Sequence, residues 1–197
     1  MRIGIEMNGV LRDTLKKIQQ EYEKWYIDNP FKEETDFEYK VVSNLTSLDI
    51  GEHLSFRDKD EIYNFLYKEH PMEIFGHSGS VEMTSMNDLN DFYLDMRDNY
   101  DITIVSDEIG KSKPASLFFL SKFGCLIESI KFYSEITINS MWDSIDILLT
   151  ANPNLLLNIP QDKVVIKYET SYNSEIYSNH TIKNLKELKN KIQEIYA

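Results

Sequence analysis

The chain has 197 residues, of which 42% are hydrophobic and 12% aromatic, which suffices for one sizeable core and a small second lobe. This composition excludes collagen, coiled coil and wholesale disorder. The formal net charge of −12 at pH 7 repels nucleic-acid phosphates and anionic lipid surfaces, so we expect no nucleic-acid partner and no membrane partner.

The first predicted elements are a buried strand and a long helix. Residues 2–10 form a short apolar run closed by an Asn-Gly pair, a pattern typical of a strand that leads into a tight turn. From Leu11 to Tyr26, apolar residues recur every three or four positions, which predicts a helix that ends near Pro30.

A polar and aromatic stretch follows, from about residue 31 to residue 80. It contains a second predicted helix, which begins at the capping pair Asp58 and Glu61 and ends at His70-Pro71. About ninety residues separate the first two strands, far more than one crossover helix needs. We therefore expect part of this stretch to form a small helical lobe over the strand ends.

The remainder alternates helices with strands. A helix is predicted from about Ser85, a strand over 101–106, and a helix that begins at Pro114 and stops at Gly124. The later elements are strands over 130–133, 145–149 and 164–168, a short helical turn opened by Asn152-Pro153, and an amphipathic helix over 185–195. This alternation predicts an open, mostly parallel α/β sheet whose ligands bind beyond the carboxyl ends of the strands.

Several short motifs follow one another along nearly the whole chain. They are Asn8-Gly9-Val10-Leu11, Pro71-Met72-Glu73-Ile74-Phe75, Ile104-Val105-Ser106, Lys113-Pro114, Phe123-Gly124, Ile145-Asp146-Ile147-Leu148-Leu149 with Pro153, and residues 164–168 followed by Tyr172-Asn173. Their order and spacing resemble the haloacid dehalogenase-like (HAD-like) phosphohydrolases, and within them the 5'(3')-deoxyribonucleotidase group. The resemblance implies a Rossmannoid three-layer α/β fold with a core of residues 1–12 and 81–197. A small helical cap, residues 13–80, would be inserted after the first strand.

The resemblance also assigns roles to residues at the strand ends. In the family, the first strand ends in Asp-x-Asp, a nucleophile followed by a proton donor, and the matching residues here are Glu6 and Asn8. Ser106 would bind phosphate after the second strand. Lys113, a better candidate than Lys111, would neutralise the phosphate charge.

Several of these positions depart from the family pattern. Thr150 and Ala151 stand where the family carries the acidic pair that helps to hold magnesium. Glu6 keeps a carboxylate but adds a methylene, and a displacement on the order of 1 Å can cost about 100-fold in rate. Asn8 has no titratable proton, which removes acid catalysis worth roughly 10²- to 10⁴-fold. We therefore expect no cofactor, and Mg²⁺ only if the chain is an active phosphatase.

Other reactive side chains have simpler interpretations. The four histidines lack the spacing of a zinc site, and Cys125 beside apolar residues is expected to be a structural thiol. Tyr22, Trp25 and Tyr26 form either a base-stacking surface, as the resemblance suggests, or a lobe core or partner contact.

Three functions remain open. The preferred hypothesis is a catalytically silent deoxyribonucleotidase-like protein, a pseudo-phosphatase kept to bind a nucleotide or phosphate or for a structural role in an assembly. The second is a weak or altered Mg²⁺-dependent phosphomonoester hydrolase that uses Glu6. The third is a protein-interaction module, including a virion component. With one cysteine and no signal-like or membrane-spanning run, we expect a cytoplasmic protein, or a virion or host-cytoplasm location if it is viral.

Overall fold

The computed structural model describes residues 1–30, 36–43, 45 and 48–196. Within them, one six-stranded sheet has the strand order β3-β2-β1-β4-β5-β6. The strands are β1 (Arg2–Glu6), β2 (Asp101–Asp107), β3 (Ile130–Tyr133), β4 (Ile147–Thr150), β5 (Val164–Tyr168) and β6 (Thr181–Ile182). Every pairing is parallel, which confirms the predicted α/β class and places all carboxyl ends at one edge.

Seven α-helices accompany the sheet in the described part of the chain. They are α1 (Thr14–Tyr22), α2 (Lys59–Asn64), α3 (Ser85–Met96), α4 (Ser112–Lys122), α5 (Ile138–Asp143), α6 (Pro153–Leu157) and α7 (Leu188–Ile195). The π-helical segments Glu23–Ile27 and Phe65–Glu69 extend α1 and α2, and a third lies at Met72–Gly76. None of the described helices is both long enough and apolar enough to cross a membrane.

Alternation along the strands divides the core into two apolar layers. Ile3 and Ile5 of β1 face a cluster that includes side chains of α3, α4 and α7. Val105, Leu148 and Val165 face the opposite side, where they pack with side chains of α5 and α6. The sheet therefore lies between two helical layers, as the three-layer architecture requires.

A third apolar cluster lies within segment 13–80, which we call the lobe. Ile18, Tyr22, Phe65 and Ile74 are buried there, and the cluster closes on the core through Ala115 of α4. Parts of the predicted cap at 31–35, 44 and 46–47 lie outside the described residues. The lobe is held against the carboxyl edge of the sheet by these apolar contacts with α4.

Several predicted helix ends have the expected local chemistry. The Asp58 side chain accepts a hydrogen bond from the Glu61 N–H, Asn152 caps α6 ahead of Pro153, and Gly124 has a φ of 70° just after α4.

The first helix begins later than the periodicity predicts. The N–H groups of Leu11 and Arg12 both donate to the Met7 carbonyl, in a turn that precedes α1. The helical repeat is established only from Thr14.

Candidate functional site

The floor of the site is formed by the carboxylate of Glu6, the last residue of β1. The side chain is almost fully buried, at 1% exposure. The Tyr133 hydroxyl donates to Glu6 Oε1 at 2.8 Å, and the Thr150 hydroxyl donates to Glu6 Oε2. The Asn152 N–H in turn donates to Thr150 Oγ1 at 2.9 Å. Both carboxylate oxygens of Glu6 therefore have hydroxyl donors.

Strand register accounts for this arrangement. Ile5 is paired with Ile104 on one side and Leu149 on the other, so the next residue, Glu6, emerges between the ends of β2 and β4. Thr150 follows Leu149 on the same face as Glu6. Tyr133 ends β3 and reaches across the end of β2 to complete the set.

Burial controls the protonation of this group. It raises the pKa of Glu6 to about 7, although the hydroxyls of Thr150 and Tyr133 favour the charged form. Burial, together with the nearby Glu6 charge, also raises the pKa of Tyr133. The Tyr133 hydroxyl therefore keeps its proton and acts as a donor.

Asn8 lies beside Glu6 in the turn after β1. Its Oδ1 atom accepts hydrogen bonds from Arg12 Nη2 at 2.7 Å and from the Thr14 hydroxyl at 2.6 Å. The turn depends on Gly9, whose φ of 75° favours glycine. A Cβ at Gly9 would collide with the Tyr172 hydroxyl oxygen.

Arg12 is a fully buried arginine that joins the sheet edge to the lobe. Its donors go to the Asn8 side-chain oxygen, the Glu108 carboxylate, the Phe75 carbonyl, and the hydroxyls of Ser116 and Thr14. These five bonds match the five N–H groups of a guanidinium. Burial lowers the pKa of Arg12, and the Glu108 charge opposes that shift.

The two predicted phosphate ligands, Ser106 and Lys113, have partners of their own. Ser106 is fully buried, and its hydroxyl donates to Glu108 Oε1 at 3.3 Å. Lys113 is exposed, with Nζ 5.8 Å from the centre of the Phe132 ring. The Nζ of Lys111 contacts the Lys68 carbonyl oxygen of the lobe at 3.5 Å.

A cavity of about 180 Å³ separates the sheet edge from the lobe. It is lined by Glu6, Asn8, Gly9, Asp13, Thr14, Leu15, Ile18, Leu48, Ile50, Leu66, Tyr67, Phe75, Asp107, Asn152 and Tyr172. Three carboxylates and no basic side chain occur among these described lining residues. Glu6 and Asn8 thus face one common cavity, whereas Ser106 and Lys113 are not part of its lining.

Asp107 contributes an exposed carboxylate at the edge of this cavity. Desolvation of this carboxylate by the surrounding protein, together with the charges of Glu108 and Glu135, raises the pKa of Asp107 to about 6. Its charge also contributes to the raised pKa of Glu6. The two carboxylates are therefore electrostatically coupled across the cavity.

The architecture has a counterpart among solved structures. A solved dehalogenase with an intermediate complex aligns over 95% of this chain and 94% of its own, with a TM-score of 0.53 and 11% sequence identity. The fold is HAD-like. No model of a known protein family matches the sequence, and no curated protein matches it either. At this level of identity the likeness shows the fold alone.

The donor set does not fit the magnesium ion expected for an active HAD-like phosphatase. Both oxygens of Glu6 accept from hydroxyls, and Asn8 Oδ1 accepts from a cationic guanidinium and from Thr14. Thr150 offers a hydroxyl and Ala151 a methyl group where acids would stand. Among the described residues, no group of three His, Cys, Asp or Glu side chains could hold a metal.

The sequence alone did not reveal the roles of three residues of this site: Arg12, Tyr133 and Glu108. Arg12 carried one local signal, since it is a charged residue directly after the apolar pair Val10-Leu11. Its ion-pair partner, Glu108, lies 96 positions away. Tyr133 was recognised only as the end of a strand.

Proposed function

We propose that this HAD-like chain binds a ligand in the cavity above Glu6 and has no phosphatase turnover. The observation that carries the proposal is the state of the Glu6 carboxylate, in which each oxygen accepts a hydrogen bond from a neighbouring hydroxyl. Such bonds stabilise the carboxylate in its resting state and reduce its reactivity toward phosphorus. The cavity itself remains open to a ligand.

The position beside Glu6 supports the same proposal. Asn8 offers an amide in place of a carboxylic acid, and its oxygen already accepts from Arg12 and Thr14. Without a proton donor, cleavage of a phosphomonoester loses roughly 10²- to 10⁴-fold in rate. Phosphoryl transfer also depends on neutralising the charge of the phosphate, and the described cavity lining contains no basic residue.

The finer proposal is descent from a deoxyribonucleotidase-like enzyme, with the binding site retained for a ligand or an assembly role. It is supported by Glu6 and Asn8, which face one cavity, and by Thr150, which contacts Glu6. Phosphate binding through Ser106 and Lys113 would be a property retained from that ancestor, and it stays a prediction.

A turnover screen tests the proposal. The protein and its Glu6→Ala variant are incubated with deoxynucleoside monophosphates, with and without Mg²⁺, and released phosphate is measured. An arm with chlorinated organic substrates and chloride detection is included because the structural neighbour is named a dehalogenase. We expect no difference between the two proteins in any arm. Turnover that Glu6→Ala abolishes would refute the proposal.

An altered hydrolase is the second candidate, and Asp107 is the observation that favours it. Its pKa of about 6 lets this carboxyl retain a proton at mildly acid pH, as a replacement for the proton donor missing at Asn8 would have to. This candidate predicts activity that declines above about pH 6 and is lost in Asp107→Asn. A flat pH profile at background level would exclude it.

A further inference from the structure

The cavity above Glu6 combines an apolar wall with an acidic floor and edge. We infer that its ligand is a small organic cation, a primary amine that carries one apolar group about the size of a benzene ring. The inference rests on the proposed function, in which this cavity binds a ligand, and it specifies the chemical class of that ligand.

The volume sets the size of the apolar group. The cavity measures about 180 Å³, and an engineered apolar protein cavity of roughly 150 Å³ binds benzene. Leu15, Ile18, Leu66 and Phe75 contribute apolar side chains to the lobe side of the wall. A single ring or a short branched chain would therefore fill the apolar part without moving the lobe.

The charged groups that line the cavity determine the sign of the charge that a ligand should carry. Glu6, Asp13 and Asp107 line the cavity, and the charge of Asp107 raises the pKa of Glu6. Neither the Asp13 nor the Asp107 carboxylate has a side-chain hydrogen bond or ion pair with another described residue. Asp13 precedes α1 without making a side-chain capping bond. Their acceptor sites are thus open to a bound donor.

An ammonium group has the complementary chemistry. It carries three N–H donors and no acceptor, and each Glu6 oxygen keeps a lone pair beyond those used by its hydroxyl donors. The rings of Tyr67 and Tyr172 also line the cavity, and aromatic faces attract cations. A neutral ligand of the same shape would desolvate the carboxylates without supplying a counter-charge.

An anionic ligand lacks a binding group in the same space. The Arg12 guanidinium contacts the lining residue Asn8, but its N–H groups donate to protein acceptors. Lys113 is exposed over the Phe132 ring and outside the cavity lining. A phosphate or carboxylate ligand would therefore meet three carboxylates and no free cation among the described lining residues.

Three probes of nearly equal shape and different charge test the inference by calorimetry on the full chain: benzylamine, benzyl alcohol and benzoate. At about pH 8 the amine is still protonated. We expect benzylamine to bind at least about tenfold more tightly than benzyl alcohol, and benzoate to bind more weakly than either. Equal affinities, a preference for benzoate, or no binding by benzylamine would overturn the inference.

Two matched variants test whether the preference for benzylamine comes from the cavity carboxylates. Asp13→Asn removes one cavity carboxylate and should weaken benzylamine binding by about fivefold, while the affinity for benzyl alcohol stays unchanged. Asp98→Asn is the control, because Asp98 is exposed just before β2, at the opposite end of the strands. It removes the same charge and should leave both affinities unchanged. An equal loss in the two variants would refute a role for the cavity carboxylates.

The two proposals can fail separately. A chain that is silent in the turnover screen but prefers benzoate keeps the proposed function and loses the cationic ligand. A chain that hydrolyses phosphomonoesters loses the proposed function, whichever probe it binds.

Discussion

Replacing Glu6 by Gln should change the pH dependence of stability. Burial raises the pKa of Glu6 from 4.5 to about 7, so the folded protein binds a proton there that the unfolded chain has released. The resulting stabilisation is fully present below about pH 4.5 and is lost as pH rises through about 7. A shift of this size corresponds to about 3 kcal/mol between the two limits. In Glu6→Gln this pH-dependent component disappears.

Urea unfolding followed by circular dichroism between about pH 5 and pH 8 measures this difference. The free energy of unfolding of the wild type should fall relative to the variant by up to about 3 kcal/mol across that range. The pKa of Asp107 is also raised, by burial and by Glu108 and Glu135. Its contribution to the pH dependence is common to both proteins, so the difference between them isolates Glu6. Parallel curves for the two proteins would refute the buried, partly protonated state of this carboxyl.

Three further substitutions, two beside the site and one at the opposite end of β1, are each measured by urea unfolding. Arg12→Met leaves the Glu108 charge buried without its ion-pair partner and should lower the free energy of unfolding by about 3–5 kcal/mol. Adding Glu108→Gln should recover part of that loss. Additive losses in the double variant would contradict the ion pair. Gly9→Ala should lower the free energy of unfolding by about 1–2 kcal/mol because of the left-handed backbone, and further because the new Cβ collides with the Tyr172 hydroxyl. Adding Tyr172→Phe should remove only the contribution of that collision. Asp146→Asn should cost at most about 1 kcal/mol, because the ion pair is at the surface. The pKa of Asp146 is lowered to about 2 by Arg2, so this cost is present above about pH 4 and should vanish toward pH 2. A cost that persists at pH 2 would refute a stabilising ion pair between Asp146 and Arg2.

Local patterns predicted most of the sheet and its helices. The apolar runs that form β1, β2 and β5 are bounded by turn residues, and such runs in a chain alternating with helices favour parallel strands. The two-residue strand Thr181–Ile182 has no such pattern, because it exists only through pairing with the end of β5. The helix α5 has only six residues, too few for a clear repeat.

The site was predictable only where it follows from topology. Glu6 and Thr150 end neighbouring strands, so their proximity follows once the sheet is parallel. The pairing of Arg12 with Glu108 depends on how the turn after β1 packs against the loop after β2. No local periodicity carries that information, since the two residues are 96 positions apart.

The bond between Arg12 and the Phe75 carbonyl determines how the lobe can move. The same guanidinium forms an ion pair with Glu108 beside the sheet, so an outward rotation of the lobe would remove the Thr14 and Phe75 acceptors from a buried arginine whose other partners stay with the sheet. Such a rotation is costly, and the lobe is therefore a fixed wall of the cavity. Exchange of the proposed ligand would then require small side-chain displacements, and the backbone amides of α1 should exchange with solvent as slowly as those of the central strands.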